Sequence, residues 1–196
     1  MTSSNPNRRL LVSTVLFLVC APFLGVFAMD LFVRQMLYPA PPWPVPATPP
    51  APLEALTLES SAGDRISAWL RARPGGDAAV LFLHGNGENL ATLHASGLFD
   101  ELDRIGASTL AIDYPGYGRS TGKPGEASLT AAGIAGFKAL QSRFPGQRHF
   151  IVGWSLGAAT AAQTAVPMEG ELAGLVLLSP WHDLPSLASR FFPGLL

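Results

Sequence analysis

A single cysteine, Cys20, stands in the whole chain, and it sits inside an apolar run near the N-terminus. One thiol excludes an intramolecular disulfide and any zinc site built on several thiolates. Charge is also sparse: 14% of the residues are charged, and 13 basic against 14 acidic residues leave a formal net charge of -1. No basic stripe interrupts this balance, so a nucleic-acid partner is not expected. Nothing in the pattern calls for a metal or an organic cofactor, and no obligate protein partner is evident. What the chain does have is apolar content, 48% over 196 residues, enough for one good core and a membrane segment besides.

The first apolar run lies in "NPNRRLLVSTVLFLVCAPFLGVFAMDLFVRQ". Arg8 and Arg9 precede an uncharged stretch over residues 10–29. At about 1.5 Å of rise per residue such a stretch spans roughly 30 Å, the hydrocarbon thickness of a bilayer. The leading expectation is a cytoplasmic N-terminus over residues 1–9 and a single transmembrane anchor over 10–33. The positive-inside rule then puts the remainder on the non-cytoplasmic side. Val26 and Ala28 also have the small-residue spacing of a signal-peptide cleavage site, and a buried core helix is the third reading. Pro22 would kink the helix, which a membrane span tolerates.

Residues 39–52, "PAPPWPVPATPPAP", contain eight prolines in fourteen positions. That density excludes helix and central strand and predicts an extended linker. A partner-binding proline motif is the alternative.

Beyond it, "LEALTLES" and "RISAWLRA" alternate apolar and polar residues around "SAGD", which predicts an antiparallel hairpin at a sheet edge. "AAVLFLH", "STLAID", "HFIVG" and "LAGLVLLS" are continuous apolar runs, as parallel strands covered on both faces require. A stripe of Leu90, Leu93, Leu98, Leu102 and Ile105 predicts a helix closed by Gly106. Leu129, Gly133, Phe137, Leu140 and Phe144 predict another, stopped by Pro145 and Gly146. Strands alternating with helices mean an open, mostly parallel α/β sheet with helices on both faces, whose ligands bind at the carboxyl ends of the strands.

One such end reads Gly153-Trp154-Ser155-Leu156-Gly157, a serine between two glycines, entered from an apolar strand and left through alanine-rich helix. A sharp strand-to-helix turn needs those glycines, because side chains there would crowd the neighbouring backbone. Ser155 is therefore the candidate nucleophile. Amide groups at a helix start can hold the oxyanion of an acyl-transfer intermediate. The backbone N–H of Leu156 is one expected donor and that of Asn86, in the glycine turn "LHGNGEN", the other. His84 in that turn is expected to brace the loop.

Together, "LHGNGEN", "DYPGYGRSTGKP", "GWSLG" and "LLSPWHDLPSLASRFFP" resemble bacterial α/β-hydrolases of the serine-aminopeptidase and lysophospholipase-like group, particularly small membrane-anchored members. The resemblance covers residues 53–196. It implies the α/β-hydrolase fold and a serine hydrolase acting on a small acyl substrate, an ester, thioester or amide. It makes Asp113 and the "GYGRS" loop structural parts rimming the site.

An activating histidine and its acid follow the serine in this fold. Here only Glu169, Glu171 and Asp183 are acids downstream of Ser155, and His182 is the one histidine. The glutamates precede the last strand and fall at its starting edge; His182 and Asp183 adjoin each other in reversed order. His94 and His149 are worse placed. Forty-one residues follow Ser155, fewer than the family's remaining strands need. The expectation is a truncated hydrolase domain that lacks the acid and histidine of the triad and is inactive in this form, with its last strand an apolar sheet edge that predicts aggregation or marginal stability. A non-catalytic binding module on the same fold is the alternative.

Overall fold

The computed structural model describes residues 6–180, with side chains over 14–28 and 37–180. Two units make up the chain, residues 1–38 and 39–196. In the first, helix α1 covers Pro6–Leu37 and carries Pro22 inside it. Its described large apolar side chains, from Val15 to Phe27, are exposed. The expected transmembrane span is not supported: among the described residues no helix is long and apolar enough to cross a membrane.

The second unit holds six strands in the order β1-β2-β4-β3-β5-β6. They are β1 (Glu54–Glu59), β2 (Arg65–Arg71), β3 (Ala78–Leu83), β4 (Ala107–Ile112), β5 (Arg148–Trp154) and β6 (Gly174–Leu178). The hairpin falls where the alternating pattern put it, with β1 at the edge and Ala55 opposite Trp69. β2 joins β4 antiparallel, and β4, β3, β5 and β6 run parallel, as the four apolar runs required. Every residue of β4 is buried. β6 is the last strand described, and Leu175 to Leu178 on it are exposed.

Helices cover both faces. On one, α2 (Leu90–Ala95) and α3 (Leu98–Arg104) lay Leu90, Leu93 and Phe99 against Phe82, Ala111 and Trp69. The single helix expected here is two. Gly97, at φ 80°, adopts a left-handed conformation that breaks the first helix and resets the phase of the second. Phe99 consequently takes the buried position, and Ile105 points out at 76% exposure. On the other face α4 (Glu126–Arg143) buries Leu129, Gly133, Phe137 and Leu140, the predicted stripe except Phe144, which is its half-buried C-cap. Gly136 brings this helix so near the sheet that a Cβ would lie 2.9 Å from Leu81 and 3.3 Å from Ile112. α5 (Leu156–Ala165) packs beside it.

The proline-rich run has no helix or strand after residue 38, as its composition required. It is nevertheless packed into the core of the second unit, of which it is part. Val45 is buried with Trp69, Phe82 and Leu90, and the Asn89 side chain donates to the Trp43 carbonyl at 2.9 Å. An apolar residue among the prolines gains burial that a free spacer would forgo.

Candidate active site

Ser155 is the residue on which strand turns to helix. β5 ends at Trp154 and α5 begins at Leu156. Between them Ser155 takes φ 52° and ψ -112°, a region costly for a residue with a side chain, by about 1–3 kcal/mol. The neighbouring glycines explain how the turn closes. A Cβ on Gly153 would strike the Gly157 carbonyl, and one on Gly157 would strike the carbonyl of Leu83. The Ser155 amide donates to Leu178 O at 2.9 Å, which fixes the elbow to β6. Ser155 itself is partly exposed.

Because β3 and β5 are parallel, with Leu83 beside Gly153, the segment after β3 emerges next to the elbow. Gly85 touches Trp154: a Cβ on Gly85 would lie 2.9 Å from Trp154 Cδ1. The turn is held from several directions. Gly85 N–H donates to Glu88 Oε2 at 2.6 Å, and Tyr117 Oη donates to Asn86 Oδ1 at 2.8 Å. Asn89 then caps α2 reciprocally with Thr92, its side chain accepting from Thr92 N at 3.0 Å. Asn86 is exposed at the tip of this turn, and Leu156 opens α5, where amide groups lack partners within the helix.

His84 lies beneath the turn, fully buried, with Nδ1 2.8 Å from the Gly85 carbonyl. This is the bracing bond the sequence suggested; it makes Nδ1 the protonated nitrogen. Nε2 has no hydrogen-bond partner and stands 3.8 Å from Asp113 Oδ1. Burial drives the His84 pKa down to about 4, so the ring is neutral at pH 7. Asp113 accepts from the amides of Leu90 and Arg119, at 2.9 and 3.4 Å, yet burial still raises its pKa to about 6. Gly118, at φ 50°, wraps so closely that a Cβ would collide with this carboxylate. Asp113 thus ties the "GYGRS" loop to the start of α2, the structural part the resemblance implied. Tyr114 completes the bracket by donating to the His84 carbonyl at 2.8 Å.

The other candidates lie elsewhere. His94 sits in the last turn of α2, edge-on to Trp69, and His149 is bonded to the Phe144 carbonyl at the start of β5. Glu171 pairs with Gln141 at 2.8 Å, before β6 begins. Among the described residues no histidine follows Ser155. His182 and Asp183 lie outside them.

Of the bracing residues, Glu88 escaped the sequence reading, and Tyr117 entered it only as part of the "GYGRS" loop. An acid three positions after Gly85 is a legible local signal for the first. The Tyr117 bond to Asn86 joins loops from different strands and has no local signature.

The family model for serine aminopeptidase, S33, matches residues 75–195. The human alpha/beta hydrolase domain-containing protein 17B is 33% identical over 132 residues, covering 65% of this chain and 44% of the relative. An uncharacterized protein of Mycobacterium tuberculosis is 32% identical over 169 residues, covering 83% of this chain and 58% of the relative. The chain spans about half the length of such relatives, from 36% to 58%. Among solved structures, the Pyrococcus furiosus esterase Pf2001 superposes with a TM-score of 0.65 at 23% identity, covering 80% of this chain and 64% of that one. A thermostable carboxyl esterase from Bacillus coagulans gives 0.60 at 24%, covering 72% and 48%. At those identities the structures speak for the fold. The sheet order, the elbow and the family match agree: this chain belongs to the serine aminopeptidase S33 family of α/β-hydrolases.

Proposed function

We propose that this protein is a serine hydrolase that cleaves an ester, thioester or amide through an acyl-enzyme, with Ser155 as nucleophile. The observation that carries this reading is the Ser155 backbone, held at φ 52° between two glycines that leave no room for a Cβ. A strained turn that presents a hydroxyl at a helix start is retained where it serves chemistry.

In the proposed reaction the Ser155 hydroxyl oxygen attacks the substrate carbonyl carbon as a histidine takes its proton. The carbonyl oxygen becomes an oxyanion, received by the N–H groups of Leu156 and Asn86. Collapse breaks the bond to the leaving alcohol, thiol or amine, which departs with the proton. Water then attacks the acyl-serine by the same route and restores the hydroxyl. Among the described residues none after Ser155 takes the role of that histidine.

A fluorophosphonate probe tests the assignment. Labelling that Ser155→Ala abolishes supports it. Failure to label a protein carrying that histidine and acid would favour the second reading, a non-catalytic binding module. That reading draws on the order after Ser155, where the one histidine, His182, directly precedes Asp183 instead of following its acid.

Membrane attachment through α1 belongs to the same proposal, with the hydrolase unit on the side away from Arg8 and Arg9. The exposed Phe17, Leu18, Phe23, Val26 and Phe27 support it. Carbonate-washed membranes should retain the full chain and release a variant lacking residues 1–38; retention of both would remove this part.

A further inference from the structure

Among the described side chains, arginines have carboxylate partners with two exceptions. Arg71 is held by Asp100 and Asp103, Arg73 by Asp103, and Arg104 by Glu101. Arg143 is held by Glu54 and Arg148 by Asp77. Arg65 and Arg119 form no ion pair among the described residues. Far apart in the chain, these two line a single cavity of about 270 Å³. Thr57 and Ser67 add hydroxyls to its wall, Trp69 and Ala47 add apolar surface, and no carboxylate lines it.

The backbone holds both arginines in place. Arg65 N–H donates to Thr121 Oγ1 and Thr121 N–H to the Arg65 carbonyl, each at 2.9 Å. Ser67 N–H donates to Ser120 Oγ at 2.9 Å, so the segment following Arg119 is laced to the start of β2. The Arg119 amide is itself bonded to Asp113. The acids nearest in the chain, Glu59 opposite Arg65 in the hairpin and Asp64 before it, form no ion pair with either arginine.

Two arginines anchored through their backbones line this one cavity, and no carboxylate lines it beside them, so their guanidinium forks are available to an oxyanion. We propose that this cavity is a binding site for a phosphate-bearing ligand. At roughly 30 Å³ per water molecule its volume exceeds that of a lone phosphoryl group, leaving room for an attached glyceryl or similar moiety. β2 runs antiparallel to β4, so Arg65 lies at the sheet edge where β3, β4 and β5 end and Ser155 stands. The order β2-β4-β3-β5 interposes three strand spacings, about 14 Å. An anion bound there leaves the serine free. Free phosphate compounds and anionic lipid headgroups bring the same chemistry.

Titration calorimetry on the full chain at low ionic strength tests the site, with inorganic phosphate as one probe and glycerophosphoglycerol, a soluble lipid headgroup, as the other. Saturable binding at one site is expected. Arg65→Gln and Arg119→Gln should each weaken it about tenfold or more, the loss of a charge-assisted contact. Both side chains are exposed, so their melting curves should match the parent. Arg73→Gln, which removes a paired guanidinium, should bind as the parent does, and so should Ser155→Ala, which separates this site from the hydrolase reading. Tenfold preference for glycerophosphoglycerol identifies a headgroup, and equal affinity identifies small phosphate compounds. No saturable binding of either probe up to about 10 mM, or an equal loss in Arg73→Gln, overturns the proposal.

Discussion

Gly157, in the first turn of α5, packs directly on the carbonyl of Leu83 at the end of β3. The approach holds the serine turn and the Asn86 turn side by side, and it depends on the missing Cβ. Gly157→Ala should therefore destabilise the protein by about 1–3 kcal/mol through overpacking against backbone that cannot yield. Urea unfolding measures this. A midpoint unchanged from the parent would show that the contact is looser than it stands here.

Ser155 shows the converse. Its φ of 52° is a conformation that glycine adopts freely. Ser155→Gly should raise stability by about 1 kcal/mol while abolishing fluorophosphonate labelling. Loss of stability in that variant would mean that the hydroxyl contributes more than the turn costs.

The buried pair His84 and Asp113 makes an unusual prediction for pH. The His84 pKa is lowered to about 4, so between about 4 and 6.5 the unfolded chain binds the extra proton and stability rises with pH. The Asp113 pKa is raised to about 6, so between 3.8 and about 6 the folded protein binds the extra proton and stability falls with pH. The slopes oppose each other and largely cancel. Melting temperature should be nearly flat from about pH 4 to 6 in the parent. Asp113→Asn should make it rise with pH across that window, and His84→Gln should make it fall. Parallel profiles in all three proteins would remove the pair as the cause.

Docking of the proline-rich run rests on Val45. With 6% exposure, Val45 loses most of its burial on truncation, so Val45→Ala should cost about 2 kcal/mol. A change below about 0.5 kcal/mol, the range of surface substitutions, would return residues 39–52 to a free linker.

Much of this architecture was legible without coordinates. Four unbroken apolar runs separated by helical stripes specified a parallel sheet, because a strand covered on both faces has no polar side to show. The elbow was legible because Gly153 and Gly157 flank Ser155 at the spacing a tight strand-to-helix turn requires. The helix break at Gly97 was overlooked because the apolar stripe runs almost unbroken across it.

What the linear chain determined by itself, then, was everything set by neighbours along the backbone: the period of each element, its caps and stops, and the bend at the serine. Only the tertiary structure decided which distant groups meet. It buried His84 against Asp113, set Tyr117 on Asn86, seated Val45 beside Trp69, and brought Arg65 and Arg119 around one cavity. The physical reason is that periodicity and turn chemistry act over a few residues. Burial and pairing across a sheet depend instead on strand order, which no local pattern contains.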